Sequence, residues 1–166
     1  MNLLTFPTEN ELNAAAAGLI SGLIQTKPDA VLGLATGSTP VGIYKELISA
    51  YRRKLVSFRK VVTFNLDEYV GLAPDHPQSY KAYMKHHLFD HVDLDPGNTH
   101  IPDGTAVRPE EECARYDALL AAAGRIDLQI LGIGHNGHIG FNEPDRSLVF
   151  GTHVVELAER TRQANA

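Results

Sequence analysis

Tryptophan is absent from the chain, and cysteine occurs once, at Cys113. A single thiol excludes an intrachain disulfide, and with it the stapled small secreted folds; the expectation is a reducing, cytoplasmic setting. Also missing is any run approaching the ~20 apolar residues that a membrane helix needs. Residues 1–7 lack the basic and apolar regions of a secretory signal. A soluble intracellular protein with no membrane partner is expected. Positive charge is scarce as well: fifteen Lys and Arg stand against twenty Asp and Glu, a net charge of -5. That argues against nucleic acid as a partner, because phosphate backbones reward clustered cations. Arg52-Arg53-Lys54 is the only basic cluster, and it reads as a solvated helix end. With no repeat, low-complexity tract or linker, residues 1–166 are expected to form one domain, long enough to bury a substantial core.

What is present is an alternation of helical and extended patterns. Thr8-Glu9-Asn10-Glu11 has capping-box spacing. Leu12, Ala15, Ala16, Leu19, Ile20 and Leu23 follow at helical intervals. Residues 30–34 are too uniformly apolar for a half-exposed strand. Pro40 suits the first position of the next helix, whose apolar stripe is Ile43, Tyr44, Leu47, Ile48, Tyr51 and Leu55. Strands are predicted at 61–64, 126–131 and 152–155, and helices at 79–88 and 109–123, the last with Cys113, Tyr116, Leu120 and Ala123 on one face. Strands alternating with helices imply an α/β fold with a mostly parallel sheet covered on both faces. Ligands of such folds gather at the carboxyl ends of strands, which directs attention to three turns.

The first turn holds Thr36, Gly37, Ser38 and Thr39. Small residues, hydroxyl donors and a helix N-terminus together suit a phosphate, although an ordinary turn capped by Thr39 has the same spacing. No Gly-Lys-Ser/Thr follows, so nucleoside triphosphates are unsupported. The second turn carries Asp67 and Glu68 just past a buried strand. Either acid could remove a carbon-bound proton if partial burial lifts its pKa from ~3.9 toward neutrality. Solvated or capping acids look the same, and spacing does not choose between the two.

The third turn begins with Gly132-Ile133-Gly134-His135-Asn136-Gly137, a match to the dinucleotide fingerprint with Glu156 about twenty residues on. The context is wrong, because His138-Ile139-Gly140-Phe141-Asn142-Glu143-Pro144 follows in place of an amphipathic helix. No nicotinamide or flavin cofactor is therefore expected. His135, His138 and Glu143 could in principle ligate a metal. A glycine turn, however, has no fixed face on which they would converge, so no metal is expected. A proton relay in which Glu143 orients His138 is the better reading. His86, His87 and His91 lack such neighbours and read as surface or loop residues.

Four ordered segments now carry a resemblance: residues 34–40, 63–72, 76–80 and 134–144. Together they closely resemble the glucosamine-6-phosphate deaminase family. The resemblance implies a three-layer α/β/α, Rossmann-like fold of the deaminase/phosphogluconolactonase type. It also implies conversion of D-glucosamine 6-phosphate and water to D-fructose 6-phosphate and ammonia. By the same resemblance Thr36, Gly37, Ser38 and Thr39 would cradle the sugar phosphate. Asp67, now preferred to Glu68, would remove the C2 proton, and His138 would open the sugar ring with help from Glu143 and Asn136. Many members carry Asp at position 136; Asn holds His138 without stabilising its charged form, so heavier reliance on Glu143 is expected. The basic pattern tied to allosteric activation in some members is sparse around residues 146–156, so no activation by N-acetylglucosamine 6-phosphate is expected.

Thr161-Arg162-Gln163-Ala164-Asn165-Ala166 resembles a family stretch that leads directly into a phosphate-binding Arg, with a phosphate-binding Lys further on. The expectation is a shortened chain, with weak or absent turnover alone and exposed apolar surface where the remainder packs. Two missing charge-assisted hydrogen bonds are worth about 1.5–3 kcal/mol each. Alternatives of other classes are a 6-phosphogluconolactonase-like hydrolase, an inactive fragment, and a sugar-phosphate-binding sensor domain. Self-association is not legible.

Overall fold

The computed structural model describes residues 2–147 and 149–157. Thr161-Arg162-Gln163-Ala164-Asn165-Ala166, expected to lead toward a phosphate-binding Arg, lies outside them. Helix α1 (Glu9–Thr26) starts where predicted, the Thr8 hydroxyl accepting from the Glu11 amide at 3.3 Å. Its buried face differs by one residue from the expected stripe. Asn13, Ala17, Ile20 and Ile24 point inward, whereas Leu12 and Leu19 are 40% and 66% exposed. The cause is packing against the next helix, α2 (Val41–Arg52): a side chain at Gly42 would collide with Asn13, so α1 rotates to seat Asn13 there.

Four parallel strands follow the order β3-β2-β1-β4, with β1 at Val31–Leu34, β2 at Val62–Asn65, β3 at Thr99–His100 and β4 at Leu128–Gln129. Side chains of β1 alternate between two cores, as a strand buried on both faces requires. Leu32 and Leu34 join α1, α2 and Met84 of α3 (Tyr80–His87), while Val31 packs with Phe64 and Tyr116 of α4 (Pro109–Ala123). Helices thus lie on both faces, giving three layers. Asp127 fixes the start of β4 against β1, accepting from the Val31 amide at 2.9 Å and pairing with Lys27. Lys27 and the Val31 amide hold its carboxyl below the usual range.

Two predicted strands are corrected. Residues 126–131 contribute only Leu128–Gln129 as strand, with the flanking amides of Asp127 and Ile130 still donating to Val31 and Gly33 of β1. Residues 152–155 form no strand among the described residues. Thr152 instead donates its amide and hydroxyl to Asp117 of α4, at 2.9 and 2.6 Å, and a strand needs a backbone partner in place of a side chain. Helix α4 has its predicted bounds, with Tyr116, Leu120 and Ala123 inward and Cys113 half-buried. Leu55 lies past the end of α2 and is 48% exposed.

Candidate active site

Helix α2, which follows β1, covers one face of the sheet; α4, which precedes β4, covers the other. Strand order therefore reverses between β1 and β4, and the turns leaving their carboxyl ends part to form a crevice. The turn after β1 carries residues 36–39 and the segment after β4 carries residues 132–144. The turn after β2 brings in Asp67 from the side. All three sequence-predicted turns thus lie at one edge of the sheet.

In the first turn Gly37 adopts φ +92°, a conformation that glycine tolerates best. Two tyrosine hydroxyls tie down the turn's carbonyls: Tyr44 donates to Ala35 at 2.5 Å and Tyr83 to Gly37 at 2.6 Å. Burial pushes the Tyr44 phenol far up and the Tyr83 phenol up to about 12, so both stay protonated donors. With its carbonyls engaged from behind, the turn presents Gly37, Ser38 and Thr39 as exposed residues ahead of α2. Pro40 precedes the helix as its cap and has no amide proton to donate; no side chain caps the first turn of α2. Thr39 is therefore not the capping residue of the ordinary-turn reading.

In the second turn the two adjacent acids separate in role. Glu68 accepts from the amides of Tyr69, Tyr80 and Lys81 at 2.8, 2.9 and 3.0 Å, which places its carboxylate on the N-terminus of α3. Asp67 is half-buried, and desolvation, reinforced by the negative charge of Glu68, pushes its carboxyl up to about 7 against the opposing pull of the Phe141 amide. A carboxylate tuned to neutrality has the property required of a general base. Glu68 is thus engaged as a cap of α3, a role that spacing did not distinguish from that of Asp67.

The third turn closes on itself through Gly134 N–H to His138 O at 2.8 Å and a short antiparallel bridge between Ile139 and Asn142. The His138 ring rests against Gly134, where a β-carbon would collide with the imidazole. Asn136 sits between His138 and Glu143. Its Oδ1 lies 2.6 Å from His138 Nδ1, and its Nδ2 donates to Glu143 Oε2 at 2.6 Å. An acceptor at Nδ1 assigns a proton to that nitrogen and leaves Nε2 as the other ring atom for chemistry. The route from Glu143 to His138 that the structure displays therefore runs through the Asn136 amide. Among the described residues no group of three or more His, Cys, Asp or Glu converges as a metal site.

Tyr80 joins the three turns. Its hydroxyl lies 3.4 Å from that of Tyr69 and hydrogen-bonds the Thr36 side chain, while its ring stacks on Phe141 with centroids 5.5 Å apart. Gly140, at φ +59°, passes so close to Asp67 that a β-carbon would stand 2.9 Å from Oδ2. A cavity of about 590 Å³ opens on the α4 side; Asp67, Phe141 and Asn142 line it, but residues 36–39 and His138 do not. The capping role of Glu68 and the joint at Tyr80 were missed in the sequence. Glu68 reaches a helix start twelve residues ahead, and local spacing carries no sign of that.

The profile of the glucosamine-6-phosphate isomerases/6-phosphogluconolactonase family matches residues 8–143. Solved 6-phosphogluconolactonases share the fold: that of Thermotoga maritima superposes with a TM-score of 0.69 at 24% identity, covering 85% of this chain and 63% of its own. Much closer is the structure of a monomeric glucosamine-6-phosphate deaminase, with a TM-score of 0.97 at 50% identity over all of this chain and 69% of the other. Glucosamine-6-phosphate deaminases of Bacillus pumilus and Thermoanaerobacter sp. are 55% and 53% identical over 100% and 99% of this chain. The chain spans 69% and 65% of their lengths. It belongs to the glucosamine-6-phosphate deaminase family.

Proposed function

We propose that the protein catalyses deaminating isomerisation of D-glucosamine 6-phosphate, yielding D-fructose 6-phosphate and ammonia. The observation that carries this reading is Asp67, a half-buried carboxyl pushed up to about 7 beside the segment that holds His138. Half-buried Thr36 and exposed Gly37, Ser38 and Thr39 receive the phosphate through backbone amides and hydroxyls. His138 Nε2 moves the proton that opens the pyranose ring, with Asn136 and Glu143 holding the imidazole in register. Asp67 then removes the C2 proton and returns it to C1, through an enediol-type intermediate that still carries nitrogen at C2. Water adds to the resulting C2 imine and ammonia departs, balancing the conversion.

No cation stands within residues 36–40, so phosphate binding by this turn rests on neutral donors and is weak. Turnover by the chain is accordingly low. Several features support a cytoplasmic metabolic enzyme, hydrolytic in its release of ammonia: the lone cysteine, the relatives' names, and a described structure in which no helix is long and apolar enough to cross a membrane. The 6-phosphogluconolactonase reading rests on the shared family profile and on likeness of fold at low identity. Incubation with each substrate separates the two. Ammonia released from glucosamine 6-phosphate, with 6-phosphogluconolactone left intact, supports deamination; lactone hydrolysis without ammonia refutes it.

A further inference from the structure

Adjacent acids after a buried strand raise the question of what the second one does. Glu68 is half-buried, and its two oxygens take three backbone amides: Tyr69 on its own turn, and Tyr80 and Lys81 in the first turn of α3. Those amides have no partner within the helix, so the carboxylate replaces water at a helix terminus whose dipole favours negative charge. Ser79 caps the same turn by accepting from the Ala82 amide at 3.0 Å. Side-chain acceptors from two places in sequence thus hold one helix start. The bond spans residues 68 to 80, so it also closes the segment between the end of β2 and α3.

Asp67 is the immediate neighbour of this clamp, with no side-chain tether of its own to α3. Its position is set by the turn that Glu68 anchors, and by the Phe141 amide on the opposite side. Tyr69, Tyr80 and Tyr116 are the other titratable groups in electrostatic contact with Asp67. Burial raises all three phenols, so they remain neutral through the physiological range. Glu68 is thus the charged group that acts on Asp67 from within the described residues.

We propose that Glu68 is a positioning residue: it ties the turn carrying Asp67 to the first turn of α3 and keeps a fixed anion beside that carboxyl. The proposal rests on Asp67 as the base of the reaction, but its test needs no substrate. Glu68→Gln retains length and one acceptor oxygen while removing the charge; Glu68→Asp retains the charge but is one methylene too short to span to α3. Carboxyl-carbon NMR of the chain, titrated from pH 3 to 9, reads Asp67 in each form.

The expected result is a fall of roughly one pH unit in the Asp67 midpoint for Glu68→Gln, the scale of one adjacent like charge. In Glu68→Asp the midpoint stays nearer the native value, while hydrogen exchange at Tyr80 and Lys81 speeds at least tenfold. An unmoved midpoint in Glu68→Gln, with native amide spectra, overturns the proposal. If that variant does not fold, Glu68→Asp decides: exchange at Tyr80 and Lys81 at the native rate overturns the proposal. Failure of the functional reading looks different: native titrations as expected, with no exchange of the substrate C2 proton.

Discussion

Asp67→Asn removes a carboxyl that burial and Glu68 push from 3.8 up to about 7. Because the folded pKa lies above the unfolded one, folding favours the protonated form. The associated stability is fully present below pH 3.8 and is lost as pH rises through about 7. A displacement of roughly three units corresponds to about 4 kcal/mol at most. Water entry and relaxation at a half-buried site bring the observable part to about 1–3 kcal/mol. For a chain of this size that is a change in melting temperature of roughly 2–12 °C. Asparagine does not ionise, and its carbonyl still accepts from the Phe141 amide, so its stability lacks this component. Thermal unfolding of both proteins at intervals from pH 4 to 8.5 isolates the Asp67 contribution as a difference. The variant should gain on the native protein as pH rises, most steeply between 3.8 and about 7 and levelling off above, while losing catalysis: stability given up for a working base. Parallel curves, with a constant difference across the range, would refute the claim that Asp67 is held in a perturbed state.

Gly140→Ala places a β-carbon 2.9 Å from Asp67 Oδ2 at a φ of +59°. Activity should fall at least tenfold with a smaller effect on KM; unchanged kcat would mean that the base does not depend on this approach. Asn136→Asp sets a carboxylate against Glu143, where Nδ2 now donates at 2.6 Å, and offers His138 a charged acceptor. The pH–activity profile should extend to higher pH, and an unaltered alkaline limb contradicts the relay through residue 136. Tyr44→Phe strips the Ala35 carbonyl of a buried donor and should cost about 1–3 kcal/mol in urea unfolding. It should also weaken phosphate binding, and a change below about 0.5 kcal/mol would show that the carbonyl finds another partner.

Elements with strong local signals were legible in sequence. The capping Thr8 and the helix at Pro109–Ala123 lie where hydroxyl spacing and Pro at the first turn put them. The parallel sheet was legible from alternation and the end of β1 from its apolar run, whereas β2 runs one residue past the predicted end, to Asn65. The rotation of α1 was not, because Asn13 is seated by its fit to Gly42, which is distant in sequence. Leu12 and Leu19 obey helical periodicity yet face outward, since several stripes fit one helix and tertiary packing selects among them. At the site, chemical identity favoured Asp67, His138 and Glu143, and the resemblance ranked Asp67 above Glu68. What spacing lacked was the capping geometry of Glu68, a long-range bond to a helix start. The bridging place of Asn136 was also hidden, because an amide donates and accepts at once and sequence does not say in which directions.

The assignment of Asp67 as the C2 base is tested most directly by solvent exchange. Glucosamine 6-phosphate is incubated with the protein in deuterium oxide, and deuterium at C2 of recovered substrate and C1 of fructose 6-phosphate is followed by NMR. Incorporation in the native protein, rising with pH through about 7 and abolished in Asp67→Asn, is the predicted result. Exchange at the native rate in Asp67→Asn would contradict it and send the proton to another group.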